Sequence, residues 1–276
     1  MPLQPLINEF KIFLLFSWRD WSVTIIPGTI FASGFLRSRS SYPASLILSN
    51  YALINLWLSL FIYSFNLSTQ CYSIEEDSIN KPDRPLPSGK VTLDGARKRL
   101  RVVYTLLFLL VTYKPCIILE TLCEVAATIF LCHAEPQIGG HWFIKNTAMM
   151  TLMNWPLLSV PWKLMAQPPA TLAMERHIPA LCLWVGIVAY AQDFRDQEGD
   201  KAMGRMTLPL AFGNSSARYM FVFGMLPMAL VLLWQQGFVQ LAPWILISSH
   251  ALAGYRILAL QDKRQDHKSY MVRSHI

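Results

Sequence analysis

Residues 73–90 read SIEEDSINKPDRPLPSGK and form a compact polar block inside a strongly apolar sequence. The run before this block contains ALINLWLSLFIYSFN (52–66), and the run after it contains YTLLFLLVTY (104–113). Long apolar runs with few charges are typical of helices that cross a lipid bilayer. The block is therefore predicted to be a polar loop between two membrane helices.

The composition of the whole chain also indicates a membrane protein. The chain has 276 residues, of which 53% are hydrophobic and 15% are charged, whereas a soluble domain carries about 25% charged residues. Because the charge is missing from long runs, the deficit indicates bilayer-spanning helices and not one large soluble core. We predict an all-α, polytopic membrane helix bundle that forms a single domain over residues 1–276.

The apolar runs define eight candidate membrane spans, and seven or nine spans remain open as alternatives. The alternatives arise from Pro115, because a proline inside 98–133 removes a backbone donor and either separates two short helices or bends one long helix. The eight candidates are 10–36, 44–66, 98–116, 117–133, 143–166, 176–195, 216–236 and 238–261.

Loop charge predicts the orientation of the chain. With eight spans, loops 67–97 and 196–215 lie on the same side as both termini, and this side carries most of the lysines and arginines. Basic loops stay in the cytosol, which accounts for the formal charge of +7 without a nucleic-acid partner. We expect a multi-pass protein of the endoplasmic reticulum with its active-site mouth toward the cytosol, and the oligomeric state is not predicted.

A second polar block, YAQDFRDQEGDKAMGRMTLP, occupies residues 190–209. Its Asp193, Asp196 and Asp200 are spaced by three and four residues, so their carboxylates share one face of a helix. Carboxylates this close repel one another unless a cation joins them, and Mg²⁺ is commonly held by a few carboxylates and substrate phosphates. The alternative is a solvated helix end in which Arg195 and Lys201 neutralise the acids.

The first block continues a polar stripe that runs down the preceding span. Asn66, Gln70, Ser73 and Asp77 recur at spacings of four, three and four residues, and polar side chains within membrane helices usually face a cavity. Carboxylates can hold a metal ion, and basic side chains that follow them can donate hydrogen bonds to phosphate oxygens. This combination is suited to binding a diphosphate group. The neighbouring residues of this kind are Glu76, Lys81 and Arg84.

Other polar residues near the spans leave two interpretations open. Lys145 either extends a diphosphate site or reaches the membrane interface with its ammonium group. Arg19 and Asp20 are expected to neutralise each other, and His250 is expected to pack between helices.

The two polar blocks together resemble the hallmark motifs of the UbiA superfamily of intramembrane prenyltransferases. Residues 77–89, DSINKPDRPLPSG, are similar to the end of NDxxDxxxD followed by NKPxRPxPSG. Residues 193–209, DFRDQEGDKAMGRMTLP, are similar to DxxDxxGD followed by TLP. The likeness covers essentially the whole chain.

This resemblance implies a bundle of about eight or nine helices around a central, laterally opening cavity, in which two Mg²⁺ ions bind a prenyl diphosphate. It implies catalytic and metal-binding roles for Asp77, Asp193, Asp196 and Asp200, with Glu76 as a further metal ligand. The expected substrate-binding residues are Asn66, Gln70, Ser73, Lys81, Arg84, Lys145, Lys201 and Arg205.

The chain departs from the family pattern at two positions of the first motif. Gln70 and Ser73 stand where the family has aspartates, and a similar departure characterises the membrane-bound terpene cyclases of the superfamily. The resemblance therefore implies a Mg²⁺-dependent class I cyclase that converts farnesyl diphosphate to a sesquiterpene, with β-trans-bergamotene as the expected product. The alternatives are a prenyltransferase with an aromatic or other small acceptor and, third, an ion-binding transporter or scaffold.

Overall fold

The computed structural model describes residues 3–34, 43–165, 172–262, 264–266 and 268–269, and every regular element in these ranges is helical. The helices are short near both polar blocks and long in the apolar runs. They are α1 (Leu3–Ser17), α2 (Ile25–Ser33), α3 (Ala44–Tyr72), α4 (Ile74–Asn80), α5 (Leu93–Tyr113), α6 (Ile118–His133), α7 (Pro136–Gly139), α8 (Thr151–Met165), α9 (Leu172–Val188), α10 (Asp193–Ala202), α11 (Leu208–Phe212), α12 (Asn214–Tyr219), α13 (Leu226–Gln235), α14 (Phe238–Leu241) and α15 (Pro243–Ala259).

Each of the eight candidate spans is mainly helical in its described part, with breaks such as those at Thr24, Lys114 and Ala242, which confirms the all-α membrane bundle. Among the described residues, three continuous helical stretches are long and apolar enough to cross a bilayer by themselves, namely Ala44–Tyr72, Pro115–His133 and Asn214–Gln235. The other candidates are shorter or are interrupted by 3₁₀ or π turns. Residues 35 and 36, at the end of the first candidate, and residue 166, at the end of the fifth, lie outside the described ranges.

The chain breaks at Pro115 into two helices, which decides between the two alternatives for 98–133. Helix α5 ends at Tyr113, a 3₁₀ turn covers Pro115–Ile117, and α6 begins at Ile118. The start of α5 is also set locally, because the Thr92 side chain accepts a hydrogen bond from the Gly95 backbone N–H at 3.1 Å. Such a cap satisfies a backbone donor that the first turn leaves unpaired.

The described chain divides into two compact units. The first unit takes in Met1–His133 and Pro156–Ala170, and α3 is its central helix, packed against α1, α2, α5 and α6. The core of this unit includes the fully buried side chains of Trp57 and Leu58. This packing positions the polar end of α3, which carries the first polar block.

The second unit takes in Ala134–Trp155 and Thr171–Ile276. Its core is formed by side chains of α9–α13 and α15 and of the 3₁₀ and π turns between them, among them Tyr190, Phe194 and Phe221. Helix α10, which carries the second polar block, thus contributes Phe194 to the core. Because Phe194 lies next to Asp193 in sequence, core packing fixes the start of the acidic helix.

Candidate active site

The polar stripe of α3 is buried inside the first unit. Asn66 and Gln70 are 2% and 1% exposed, and Ser73 lies immediately after the helix, where it connects α3 to α4. Helix α4 then carries Glu76 and Asp77, which are 7% and 1% exposed. The break after Tyr72 lets the chain turn so that these two acids are buried although they follow a membrane helix. We refer to these residues, with Lys81 and Arg84, as the first half-site.

Asp77 is held by a cation of the same loop. Both of its carboxylate oxygens accept hydrogen bonds from Arg84 Nη1, each at 2.8 Å. The loop folds back at Ser88–Gly89, where Gly89 has a φ of 71°, a conformation that glycine adopts without a steric cost. Lys81 caps the end of α4 through its backbone N–H, which donates to the Asp77 carbonyl at 2.7 Å.

Arg19 and Asp20 do not neutralise each other, contrary to the sequence expectation. Arg19 forms an ion pair with Asp83 of the first polar block. Asp20 instead accepts a hydrogen bond through Oδ2 from Asn66 Nδ2 at 2.8 Å. These partners are far away in sequence, so no local pattern could have predicted them.

The three acids of the second block are buried in the second unit. Asp193, Asp196 and Asp200 are 0%, 4% and 0% exposed. The alternative of a solvated helix end is therefore wrong for these carboxylates. Lys201, one of its proposed partners, is exposed at the end of α10. We refer to these acids and their basic partners as the second half-site.

Each of these carboxylates contacts at least one cation. Lys145 Nζ lies 2.9 Å from Asp193 Oδ1 and 3.3 Å from Asp200 Oδ2, so one ammonium group bridges two acids. Arg205 Nη1 donates to Asp200 Oδ1 at 2.9 Å, and Arg195 forms an ion pair with Asp196 at 2.6 Å. Lys145 thus joins the second half-site.

A π-helical turn positions Lys145 and the residue after it. In the turn Phe143–Met150, Asn146 donates from Nδ2 to Asp193 Oδ2 at 2.6 Å and accepts at Oδ1 from Gln192 Nε2 at 3.2 Å. Consecutive residues rarely reach the same partner from a regular α-helix, and π turns are frequent at functional sites. The roles of Asn146 and Gln192 were not predicted, because no sequence signal marks a π turn.

Gly186 on α9 permits the close approach of this π turn. A Cβ atom at Gly186 would meet Thr151 Oγ1 and would lie 2.9 Å from the Thr147 carbonyl oxygen. We expect Gly186→Ala to displace the turn that carries Lys145 and to lower the free energy of unfolding by about 1–3 kcal/mol, as overpacking does. Thermal unfolding in detergent measures this loss. Gly224→Ala is the control, because a Cβ there has nothing within 4 Å, and equal stability of both variants would contradict the close packing.

A cavity of about 400 Å³ lies beside the second half-site, within the same unit. Its walls are apolar and aromatic, and a hydrogen bond of 2.8 Å joins the hydroxyl groups of Thr147 and Tyr190, both of which line it. Among its other lining residues are Trp142, Phe143, Leu183, Ile187 and Met225. The cavity has space for a hydrocarbon chain next to the charged groups of the second half-site.

The donor set of each half-site, taken by itself, suits magnesium with a phosphate group. In the described ranges no three His, Cys, Asp or Glu side chains are grouped so as to hold a metal alone, but Mg²⁺ is usually held by one or two carboxylates and completed by substrate phosphates and water. The buried Oε1 of Gln70 has no hydrogen-bond partner among the described residues. An unpartnered buried oxygen is suited to a cation or to a metal-bound water, because leaving it unsatisfied is costly.

Comparisons with known proteins give the chain a family. Residues 25–276 match the model of the UbiA prenyltransferase family. A solved structure of a UbiA homologue from Archaeoglobus fulgidus bound to GPP and Mg²⁺ superimposes with a TM-score of 0.66 at 14% identity, covering 95% of each chain. At this identity the likeness concerns the fold alone.

Characterised relatives include both cyclases and a transferase. A diterpene cyclase of Hericium erinaceus is 46% identical over 99% of this chain and 87% of its own length. A polyprenyl transferase of the same organism is 44% identical over 98% of this chain and 92% of its own length. The fumagillin β-trans-bergamotene synthase of Aspergillus fumigatus is 26% identical over 96% of this chain and 88% of its own length.

Proposed function

The chain belongs to the UbiA prenyltransferase family, and from this premise we propose that it is a Mg²⁺-dependent terpene cyclase of the class I type. It ionises a prenyl diphosphate and closes the freed chain on itself, with release of diphosphate. The observation that carries this proposal is the second half-site, where three buried carboxylates are balanced by Lys145, Arg195 and Arg205 next to an apolar cavity. This combination of charge and apolar volume suits a substrate with a diphosphate head and a hydrocarbon tail.

The first motif favours a cyclase over a transferase. Its neutral Gln70 and Ser73 replace two acids of the family pattern, as in the membrane-bound cyclases that the sequence resembles. Identity to relatives does not separate the two activities, because the diterpene cyclase and the polyprenyl transferase are 46% and 44% identical to this chain. The transferase is therefore the second candidate. An ion-binding transporter or scaffold comes third, since the relatives named above are enzymes.

The length of the substrate chain is proposed from the relatives. The resemblance to the bergamotene synthase implies farnesyl diphosphate and a sesquiterpene, but that relative is only 26% identical. The diterpene cyclase is 46% identical, and a diterpene arises from a C20 diphosphate. We therefore propose geranylgeranyl diphosphate as the preferred substrate, with farnesyl diphosphate, predicted from the sequence, as the alternative.

Lys145 and Arg205 of the second half-site are proposed to bind the leaving diphosphate, because they supply positive charge and N–H donors. The family resemblance implies a phosphate-binding role for Lys81 and Arg84 of the first half-site. An ammonium group has three donors and a guanidinium group has five, so each can keep its carboxylate and still donate to a phosphate oxygen. Lys201 and Ser73, which the resemblance also implies, are proposed as outer contacts.

Mg²⁺ would be held by Asp193, Asp196 and Asp200, and by Asp77 with Glu76. When bound, it neutralises the negative charge that develops on the diphosphate as the C–O bond breaks. The carboxylates are already buried and oriented, so little reorganisation is required at the moment of ionisation.

The apolar cavity of the second unit is proposed to hold the hydrocarbon chain after ionisation. Trp142 and Tyr190 present aromatic rings there, and a ring face attracts a nearby cation. Apolar walls also keep out water, which would otherwise capture the allylic cation. Ring closure then requires that the chain be folded so that one of its own double bonds reaches the cationic carbon. The cyclic cation loses a proton to the released diphosphate, and the neutral hydrocarbon results.

The proposal is tested by supplying a prenyl diphosphate without an acceptor. Membranes that contain the protein are incubated with Mg²⁺ and either geranylgeranyl or farnesyl diphosphate, and extracts are analysed by gas chromatography with mass spectrometry. We expect a cyclic hydrocarbon, with more product from the C20 substrate. A product that forms only after an aromatic acceptor is added would identify a transferase, and no product in either assay would favour the non-enzymatic alternative. The endoplasmic reticulum is the proposed membrane.

A further inference from the structure

A 3₁₀ turn brings two charged residues of the first apolar run to the polar end of α3. The turn covers Trp18–Val23 and separates α1 from α2. It is stabilised from within, because Thr24 Oγ1 donates to the Asp20 carbonyl at 2.6 Å and Trp21 Nε1 donates to Ser17 Oγ at 3.1 Å. Short 3₁₀ stretches inside a helix often mark functional positions.

The turn is also anchored from outside, by Arg19. Its guanidinium group is paired with Asp83 in the first polar block, and this hydrogen-bonded contact holds the pKa of the Asp83 carboxyl below its usual range. The ion pair ties the turn to the loop that carries Lys81 and Arg84. Asp20, the next residue, is thereby held at the first half-site.

Asp20 lies against the polar stripe of α3. Its Oδ2 accepts from Asn66 Nδ2 at 2.8 Å. Asn66 and Gln70 are four residues apart on one helix, so their Cβ atoms are about 5–6 Å apart on the same face. A charged side chain within an apolar run is costly and is a functional candidate by default.

Gln70 is the second, independent observation at this place. Its side chain is 1% exposed, and Oε1 has no hydrogen-bond partner among the described residues. The amide oxygen can accept but cannot donate, so it requires a donor or a cation. A carboxylate oxygen and an amide oxygen are both ligands that hard divalent cations take.

Asp77, by contrast, already has a strong partner. Both of its oxygens accept from Arg84, and no other acid stands in the α3 stripe at positions 66, 70 or 73. We propose that Asp20 and Gln70 together bind a divalent cation at the first half-site, so that Asp20 supplies the negative charge that the α3 stripe lacks. This inference rests on the proposed function, because the cation would serve a bound diphosphate.

The test measures metal binding directly on the full chain. Mn²⁺ binding to the purified protein in detergent, with inorganic diphosphate present, is followed by electron paramagnetic resonance. We expect Asp20→Asn to weaken Mn²⁺ binding at this site by about tenfold or more, the lower end of what loss of a metal-supporting group costs. Asp94→Asn is the matched control, because Asp94 is an exposed acid of the same unit, paired with Lys98. The Asp94→Asn variant should bind Mn²⁺ with the same affinity as the wild type.

A second variant separates a ligand from a structural role. In Asp20→Asn combined with Gln70→Asp, a carboxylate is restored at position 70, four residues from Asn66 on the same helix face, and we expect Mn²⁺ binding to recover. If Asp20→Asn weakens binding and the double variant does not restore it, Asp20 acts through structure and the inference is wrong.

Two further outcomes distinguish this inference from the proposed function. Unchanged Mn²⁺ binding in Asp20→Asn, together with weakened binding in Asp193→Asn, would overturn the Asp20 site and leave the proposed function intact. No Mn²⁺ binding by the wild type in the presence of diphosphate would overturn both.

Discussion

Replacing Asp193 by asparagine is expected to reduce turnover by about 10²–10³-fold, the cost of removing one preorganised electrostatic group from a site of this kind. The side chain is fully buried, and it contacts both Lys145 at 2.9 Å and Asn146 at 2.6 Å. Asparagine keeps the shape and a hydrogen-bond acceptor but removes the charge that a metal requires. Steady-state hydrocarbon formation measures the loss.

A neighbouring acid on the same helix provides the control for this variant. Glu198 is exposed on α10, and Glu198→Gln should retain turnover close to that of the wild type. The unfolding temperature of Asp193→Asn should stay near the wild-type value, because Lys145 keeps its contact with Asp200. Full activity of Asp193→Asn would remove this residue from the metal-binding set.

Lys145→Met is expected to produce the largest loss of stability. The ammonium group bridges two carboxylates whose side chains are 0% exposed, so its removal leaves buried charge without its bridging partner. Breaking a buried ion pair in this way costs about 3–5 kcal/mol. Thermal unfolding in detergent measures the change, and added Mg²⁺ should stabilise the variant more than it stabilises the wild type, since the metal can replace the lost positive charge.

An exposed ion pair is the control for Lys145→Met. Lys98 and Asp94 form a pair on the surface of α5, with side chains 67% and 72% exposed, and exposed pairs contribute about 0–1 kcal/mol. Lys98→Met should therefore unfold at nearly the wild-type temperature. If the two lysine variants lose equal stability, the bridging role of Lys145 is wrong.

The acidic residues of the second half-site could be predicted from sequence because their spacing alone places them on one helix face. Asp193, Asp196 and Asp200 do share α10, and their burial follows from the apolar span that precedes them. Their partners could not be predicted. Lys145 and Asn146 reach Asp193 across 48 and 47 positions of sequence, through a π turn that has no pattern of its own.

The first half-site illustrates the same limit. The α3 stripe of Asn66 and Gln70 was visible as a periodic set of polar residues in an apolar span. The contact between Asp20 and Asn66 spans 46 positions, and the adjacent Arg19 offered a nearer partner for Asp20 by sequence alone. In the folded chain the 3₁₀ turn directs Arg19 to Asp83 and Asp20 to Asn66, so the two neighbouring side chains have different partners.

The membrane spans show where sequence periodicity is sufficient. Apolar length predicted helices at all eight candidate positions, and Pro115 separates α5 from α6 because it cannot continue the backbone hydrogen bonding. The interruptions within the other spans were not predicted. A turn such as Phe143–Met150 differs from an α-helix by one residue in its hydrogen-bond spacing, which leaves the apolar composition unchanged.

The most direct test of the central claim is the ratio of diphosphate released to hydrocarbon formed. Purified protein in lipid nanodiscs is given Mg²⁺ and geranylgeranyl diphosphate as the sole organic substrate, and both products are quantified over time. A cyclase that ionises the substrate and closes the chain on itself predicts equal amounts of diphosphate and cyclic hydrocarbon, with neither formed in the presence of EDTA. Release of diphosphate that begins only when an acceptor is added would contradict the account.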